Sequence, residues 1–238
     1  MLKAILFDLD GTLLPMDQDE FTQEYLNLLA EKFSPYRYEP KKLIETVWMG
    51  TAAMMRNNGK QSNEAVFWEK FSEVYGKEKM EQDRPLFDNF YAKDFEKAKK
   101  FCGYHVKSAE TVRTAKQLGY RVVLATNPIF PQNATVSRIR WAGLEPSDFE
   151  FITTYENTGY CKPNSEYYRD IAERLGVQPE ECLMVGNDVS EDMVAETVGM
   201  KVFLLTNCLI NKERCDISVY PRGNFKQLIN ILKNKMSV

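Results

Sequence analysis

The spacing of hydrophobic positions divides the chain into an apolar strand, a long helical stretch and a region where strands and helices alternate. Ala4-Ile5-Leu6-Phe7 is continuously apolar, as a strand buried on both faces of a parallel sheet must be, and it runs into Asp8-Leu9-Asp10-Gly11-Thr12. After Leu14-Pro15 the period becomes helical and stays so for roughly ninety residues. Phe21, Tyr25, Leu28 and Leu29 follow the acidic start Asp17-Gln18-Asp19-Glu20, and Pro40 opens a second helix carrying Leu43, Ile44, Val47 and Trp48. A third helix is predicted from near Ser62, with Val66, Phe67, Phe71, Val74 and Tyr75, and a fourth from near Pro85, with Leu86, Phe87, Phe90 and Phe95. The aromatic residues of this stretch read as the core of a helical bundle.

From Ser108 onward the period switches repeatedly. A helix with Val112, Ala115 and Leu118 stops at Gly119, and strands are predicted at 121–125, 149–153, 182–186 and 202–205. Helices are predicted at 132–141, from Pro163 to Gly176 and around 193–198, with a last strand and helix between Ile217 and Leu232. The alternation predicts an α/β fold with a Rossmann-like parallel sheet and helices on both faces, formed by residues 1–15 and 104–238. Residues 16–103 form an inserted all-helical domain, with a hinge at Met16 and Asp17 and the return near Gly103 and Tyr104.

Composition narrows the function. The 238 residues, 44% of them hydrophobic, are enough for a core of ordinary size. With 31 basic against 34 acidic residues and no long block of one sign, the chain lacks the footprint of a nucleic-acid or membrane-surface binder. No apolar run approaches the roughly 20 residues of a membrane span, and the amino terminus enters the first strand without a signal-peptide pattern, so a cytoplasmic protein is expected. Cys102, Cys161, Cys182, Cys208 and Cys215 are odd in number and include no close pair, which suits a reducing compartment. The single histidine, His105, excludes mechanisms that need several histidine ligands and reads as a structural or surface residue. The sequence carries no signal for an oligomeric state.

The candidate chemistry lies at predicted strand ends. Ligands of open α/β sheets collect outside the carboxyl ends of strands, where Asp8 falls, and Asp10 two residues on shares its direction along an extended segment. Gly11 allows the turn that follows. Later strands end at Thr126-Asn127 and at Gly186-Asn187-Asp188, and Lys162 follows the loop through Asn157, Gly159 and Tyr160.

In this order Asp8-Leu9-Asp10-Gly11-Thr12, Leu124-Ala125-Thr126-Asn127, Gly159-Tyr160-Cys161-Lys162-Pro163 and Val185-Gly186-Asn187-Asp188-Val189-Ser190-Glu191-Asp192 resemble the four motifs of the haloacid dehalogenase (HAD) superfamily in its phosphatase form. The resemblance covers almost the whole chain outside the helical insert. It implies an Mg²⁺-dependent hydrolase of a small phosphorylated metabolite, with Asp8 as the nucleophile that becomes an aspartyl-phosphate and Asp10 as the acid and base. Thr126, Asn127 and Lys162 would hold the phosphoryl oxygens, while Asp8, Asp188 and the Asp10 backbone carbonyl would bind Mg²⁺. The fourth motif departs from the common Gly-Asp, since Asn187 intervenes; Asn187 is expected as a neutral ligand or support, and Asp192 as the residue that orients Lys162 or a metal-bound water. Dehalogenases of the family characteristically lack the second aspartate, so Asp10 favours phosphoryl transfer.

The insert falls where the family's helical C1 cap of subfamily I belongs, closing over the substrate. Arg56, Asn57, Asn58 and Lys60, in a polar turn between helices, are its candidate substrate contacts, against the competing reading of an ordinary solvated turn. The competing readings are a sugar phosphomutase of the same fold, a catalytically idle binding protein, and a phosphonate hydrolase using Lys60 as a Schiff-base nucleophile.

Overall fold

The computed structural model describes residues 1–234. The final residues, 235–238, assigned to the α/β domain from the sequence, lie outside the described residues. Six parallel strands, β1 (Ala4–Phe7), β2 (Arg121–Leu124), β3 (Phe151–Ile152), β4 (Cys182–Gly186), β5 (Lys201–Leu205) and β6 (Arg222–Gly223), pair in the order β3-β2-β1-β4-β5-β6. The order reverses between β1 and β4, which is where ligands bind in folds of this kind. All residues of β1 are fully buried because both sheet faces are covered.

Alternate strand residues enter separate cores. Ile5, Phe7, Val122, Leu124, Leu183 and Val185 face a core shared with α5 (Val106–Gln117), α6 (Gln132–Trp141) and α8 (Phe225–Lys233). Ala4, Leu6, Val123, Cys182 and Met184 face α7 (Ser165–Leu175) and the 3₁₀ segment Met193–Val198. His105 caps α5, its Nδ1 accepting the Lys107 N–H at 3.1 Å.

Between β1 and α5 lie α1 (Gln18–Phe33), α2 (Pro40–Met55), α3 (Asn63–Tyr75) and α4 (Lys77–Lys93), followed by 3₁₀ turns at Asp94–Phe101. Asp17, Glu39 and Ser62 cap the first three through side-chain oxygens, and Pro40 stands at the start of α2. The chain leaves and re-enters the α/β part side by side: Gly103 N–H donates to the Pro15 carbonyl at 2.7 Å, and Met16 pairs antiparallel with Cys102. No described helix is long and apolar enough to cross a membrane.

Several element boundaries differ from those predicted. Pro85 lies inside α4, which begins at Lys77 after Gly76 turns the chain at φ +83°; its polar first half, whose one buried residue is Asp83, carries too little hydrophobic periodicity to reveal it. Pro163 does not open α7: Asn164 caps that helix by accepting the Glu166 N–H at 3.0 Å. The predicted helix at 193–198 is a 3₁₀ segment, and the strand at 149–153 is reduced to Phe151–Ile152, the two residues that pair with β2.

Candidate active site

Three adjacent strand ends build the site. Phe7 pairs with Leu124 on one side and Val185 on the other, and the ladder continues one step beyond: Asp8 N–H donates to Val185 at 2.9 Å and Ala125 N–H to Phe7 at 2.7 Å. This register sets Asp8, Thr126 and the Asn187-Asp188 pair on neighbouring loops at one sheet edge.

Lys162 is fully buried and donates from Nζ to Asp8 Oδ1 at 2.9 Å and to Asp192 Oδ1 at 2.6 Å. Burial alone would lower its pKa, but Asp192 and then Asp8 outweigh that and hold it well above the usual lysine range. The second oxygen of Asp192 accepts the Asp188 N–H at 3.0 Å. One carboxylate therefore fixes both the lysine and the Asp188 loop. Gly186 is required here, since a Cβ would run into the Asp192 carboxylate.

Asp188 Oδ1 accepts the Ser190 N–H and hydroxyl, both at 2.7 Å, and the Glu191 N–H at 3.0 Å. Asn187, completely buried, joins loops: its Oδ1 accepts from Thr12 Oγ1 at 2.7 Å and its Nδ2 donates to the Cys208 carbonyl at 2.6 Å. Asn187, expected as a neutral ligand or support, holds the turn after β1, where Gly11 has φ +81° and a Cβ would strike the Asn187 side chain. Thr126 is buried, and its carbonyl accepts from Tyr167 at 2.8 Å and Thr153 at 2.7 Å, which fixes the end of β2. Asn127 Nδ2 donates to both oxygens of Glu191 at 3.1 Å, while Asn127 Oδ1 is buried without a partner among the described residues.

Two charged residues of the site were missed by sequence reasoning. Arg138, with no exposed surface, makes an ion pair with Asp10 Oδ2. Its signal was present: Ala134, Arg138 and Trp141 share the buried stripe of α6. Glu191, one residue before Asp192, is pushed up to about 8 by burial, with Lys162 opposing the shift and Asp192, Asp188 and Asp8 adding to it. Asp10 is also raised, by burial first, with Arg138 pulling it down and Asp8 pushing it up. A raised carboxyl suits a group that must give and recover a proton.

Of the four candidate contacts in the polar turn of the insert, one is buried and three are exposed. Asn57 is buried, and its Nδ2 donates to the Gln61 carbonyl at 2.9 Å and to Asn63 Oδ1 at 2.8 Å. Asn63 Nδ2 in turn donates to the Pro128 carbonyl at 3.1 Å and to Cys161 Sγ at 3.3 Å. The backbone completes the clasp through Gly59 N–H to Gly159 at 3.0 Å and Asn63 N–H to Thr158 at 2.9 Å. Asn57 thus docks the insert on the loop leading to Lys162, whereas Arg56, Asn58 and Lys60 are exposed. Two insert residues reach the site: Gln18, which bonds the Asp10 backbone, and Met55, whose sulfur lies 3.9 Å from Asn127 Nδ2. A cavity of about 80 Å³ also opens between insert and core, lined by Tyr25, Val47, Trp48 and Thr51 on one side and Ile129 and Phe130 on the other.

Oxygen dominates the donor chemistry at the strand ends: the carboxylates of Asp8 and Asp188, and the Asp10 carbonyl, which also accepts from Gln18 Nε2 at 2.9 Å. Among the described residues no three His, Cys, Asp or Glu side chains are grouped to hold a metal ion by themselves. One or two carboxylates completed by water and substrate oxygen is the set Mg²⁺ accepts, so these residues fit that ion better than one seeking nitrogen or sulfur.

The sequence family described as haloacid dehalogenase-like hydrolase matches residues 2–195. YhcW of Bacillus subtilis (strain 168) is 31% identical over 211 residues, covering 87% of this chain and 84% of YhcW. A glyceraldehyde 3-phosphate phosphatase of Methanothermobacter thermautotrophicus is 26% identical over 238 residues, covering 90% of each chain. The crystal structure of a HAD phosphatase from Thermococcus onnurineus shares the fold with a TM-score of 0.60 at 20% identity, covering 97% of this chain and 98% of that one. With its strand order, its acid-bearing strand ends and a match over most of its length, this chain belongs to the haloacid dehalogenase-like hydrolases.

Proposed function

We propose that this hydrolase cleaves small phosphomonoesters through an aspartyl-phosphate on Asp8. The observation that carries the reading is the buried Lys162 between Asp8 and Asp192, which sets a fixed positive charge against the carboxylate that must approach a phosphate dianion. Relatives that carry phosphatase names, including the glyceraldehyde 3-phosphate phosphatase, support the same reaction class and transfer to water.

An Asp8 oxygen attacks phosphorus, the bond to the leaving alcohol oxygen breaks, and Asp10 gives that oxygen a proton. Water then attacks the phosphorus of the acyl phosphate, Asp10 takes its proton, and the bond to Asp8 breaks to release phosphate. Lys162, the Thr126 hydroxyl and the backbone N–H groups near Leu9 and Asn127 are assigned to the phosphoryl oxygens. Asp8, Asp188 and the Asp10 carbonyl would hold Mg²⁺, which when bound offsets the like charges of carboxylate and phosphate. The helical insert acts as a cap, with Met55 meeting Asn127 at the site.

Phosphate release from a panel of phosphorylated metabolites, with and without chelator, tests the activity. Asp8→Asn should lose essentially all Mg²⁺-dependent turnover while keeping the wild-type circular dichroism. Turnover near wild type in that variant would remove Asp8 as nucleophile.

A further inference from the structure

We infer that Arg138 is the positioning residue for Asp10: its guanidinium fixes one carboxylate oxygen and leaves the other to meet the leaving-group oxygen. The inference rests on the acid–base role proposed for Asp10. A fully buried arginine is rare unless paired, and α6 places this one on its apolar stripe between Ala134 and Trp141. The group is held from several directions. Nε donates to the Ala134 carbonyl and Nη2 to Thr135 Oγ1, both at 3.3 Å, and the guanidinium lies 4.2 Å from the centre of the Phe130 ring. Phe130 is itself backed by Tyr25 at 5.3 Å and Phe95 at 6.1 Å, so rings of the helical insert form the far wall of the arginine's seat.

The consequence falls on Asp10. Its Oδ2 is anchored by Arg138 Nη1, whereas Oδ1 is buried and has no hydrogen-bond partner among the described residues. A buried acceptor left open in a site needs a reason, and the substrate's leaving oxygen, then the attacking water, supplies one. Lysine could keep the charge but not the planar fork or the stacking on Phe130.

Leaving-group dependence separates positioning from general structural damage. A good aryl leaving group departs without a proton, whereas an alkyl alkoxide needs one. Arg138→Gln and Arg138→Lys, each confirmed as folded by circular dichroism and thermal melting, are assayed with 4-nitrophenyl phosphate and glycerol 1-phosphate. Arg138→Gln should lose about a hundredfold more kcat/KM, which reads only the transfer to Asp8, on the alkyl ester than on the aryl ester, and Arg138→Lys should recover part of that gap. Asp10→Asn should show the same split, and the double variant with Arg138→Gln should be no worse than Asp10→Asn alone. Equal losses on both esters, or additive losses in the double variant, would overturn the inference. If Arg138→Gln does not fold, Arg138→Lys and its double variant with Asp10→Asn carry the same test. Failure of the phosphatase reading is seen separately, as an Asp8→Asn variant that still turns over.

Discussion

At the strand ends of the core the protein buries charge, whereas in the helical insert it buries rings. Asp8, Asp192 and Lys162 are at most 7% exposed and satisfy one another, and Arg138 with Asp10 forms a second such pair. In the insert, Phe33, Phe71, Phe87 and Phe90 fill the centre, with ring centroids 4.1 Å apart for Phe33 and Phe87 and 5.3 Å apart for Phe71 and Phe87. Ion pairs such as Lys77–Glu81 stay on its surface. Ring packing is tolerant of which partner it meets and adds stability in proportion to buried area. Buried ion pairs contribute little net stability but are severe when one member is removed, so they specify an arrangement instead of merely holding it.

The largest expected effect is that of Lys162→Met. It strands the Asp8 and Asp192 carboxylates and should cost about 3–5 kcal/mol of stability at pH 7, in addition to abolishing turnover. Its pH dependence has a defined sign. Burial already holds the Asp192 carboxyl above the usual range, so the folded protein binds that proton more tightly than the unfolded chain does. Denaturant melts of the variant should show stability recovering as the pH falls through that raised range and declining as it rises; a flat profile would contradict the unpaired-carboxylate account. Phe71→Ala should cost about 3–5 kcal/mol by leaving a cavity among Trp68, Tyr75 and Phe87, yet the fraction that stays folded should keep its kcat. A proportional loss of kcat per folded molecule would erase the contrast between the two regions. Asn63→Ala is expected to be milder, at about 1–3 kcal/mol, because it leaves the Pro128 carbonyl and the Asn57 amide short of a partner. If the clasp sets cap closure, KM should move more than kcat in a steady-state assay.

Much of the fold was legible because its signals are local. The unbroken apolar run of β1, the caps at Asp17 and Ser62 and the stop at Gly119 each act within a few residues. Asp8, Thr126 and Asp188 could be singled out for the same reason, since each stands just beyond the end of a strand, whereas Lys162 lies in the long loop before α7 and was marked by its motif. Pro85 was misplaced because the polar first half of α4 has no apolar stripe, and tertiary packing of Phe87 and Phe90 decides that helix instead.

Sequence by itself determined the order of the elements and which acids and bases stand at strand ends. Only the tertiary structure decided how their polar atoms are shared. Arg138 and Asp10 are separated by 128 positions, Lys162 and Asp8 by 154, and Thr12 and Asn187 by 175. Helical or strand periodicity fixes the face on which a side chain lies, but the partner it meets across such separations depends on the register between β1, β2 and β4 and on how α6 packs beside them. That is why Asn187 turned out to join loops, Asn57 to dock the insert, and a buried arginine to take hold of Asp10.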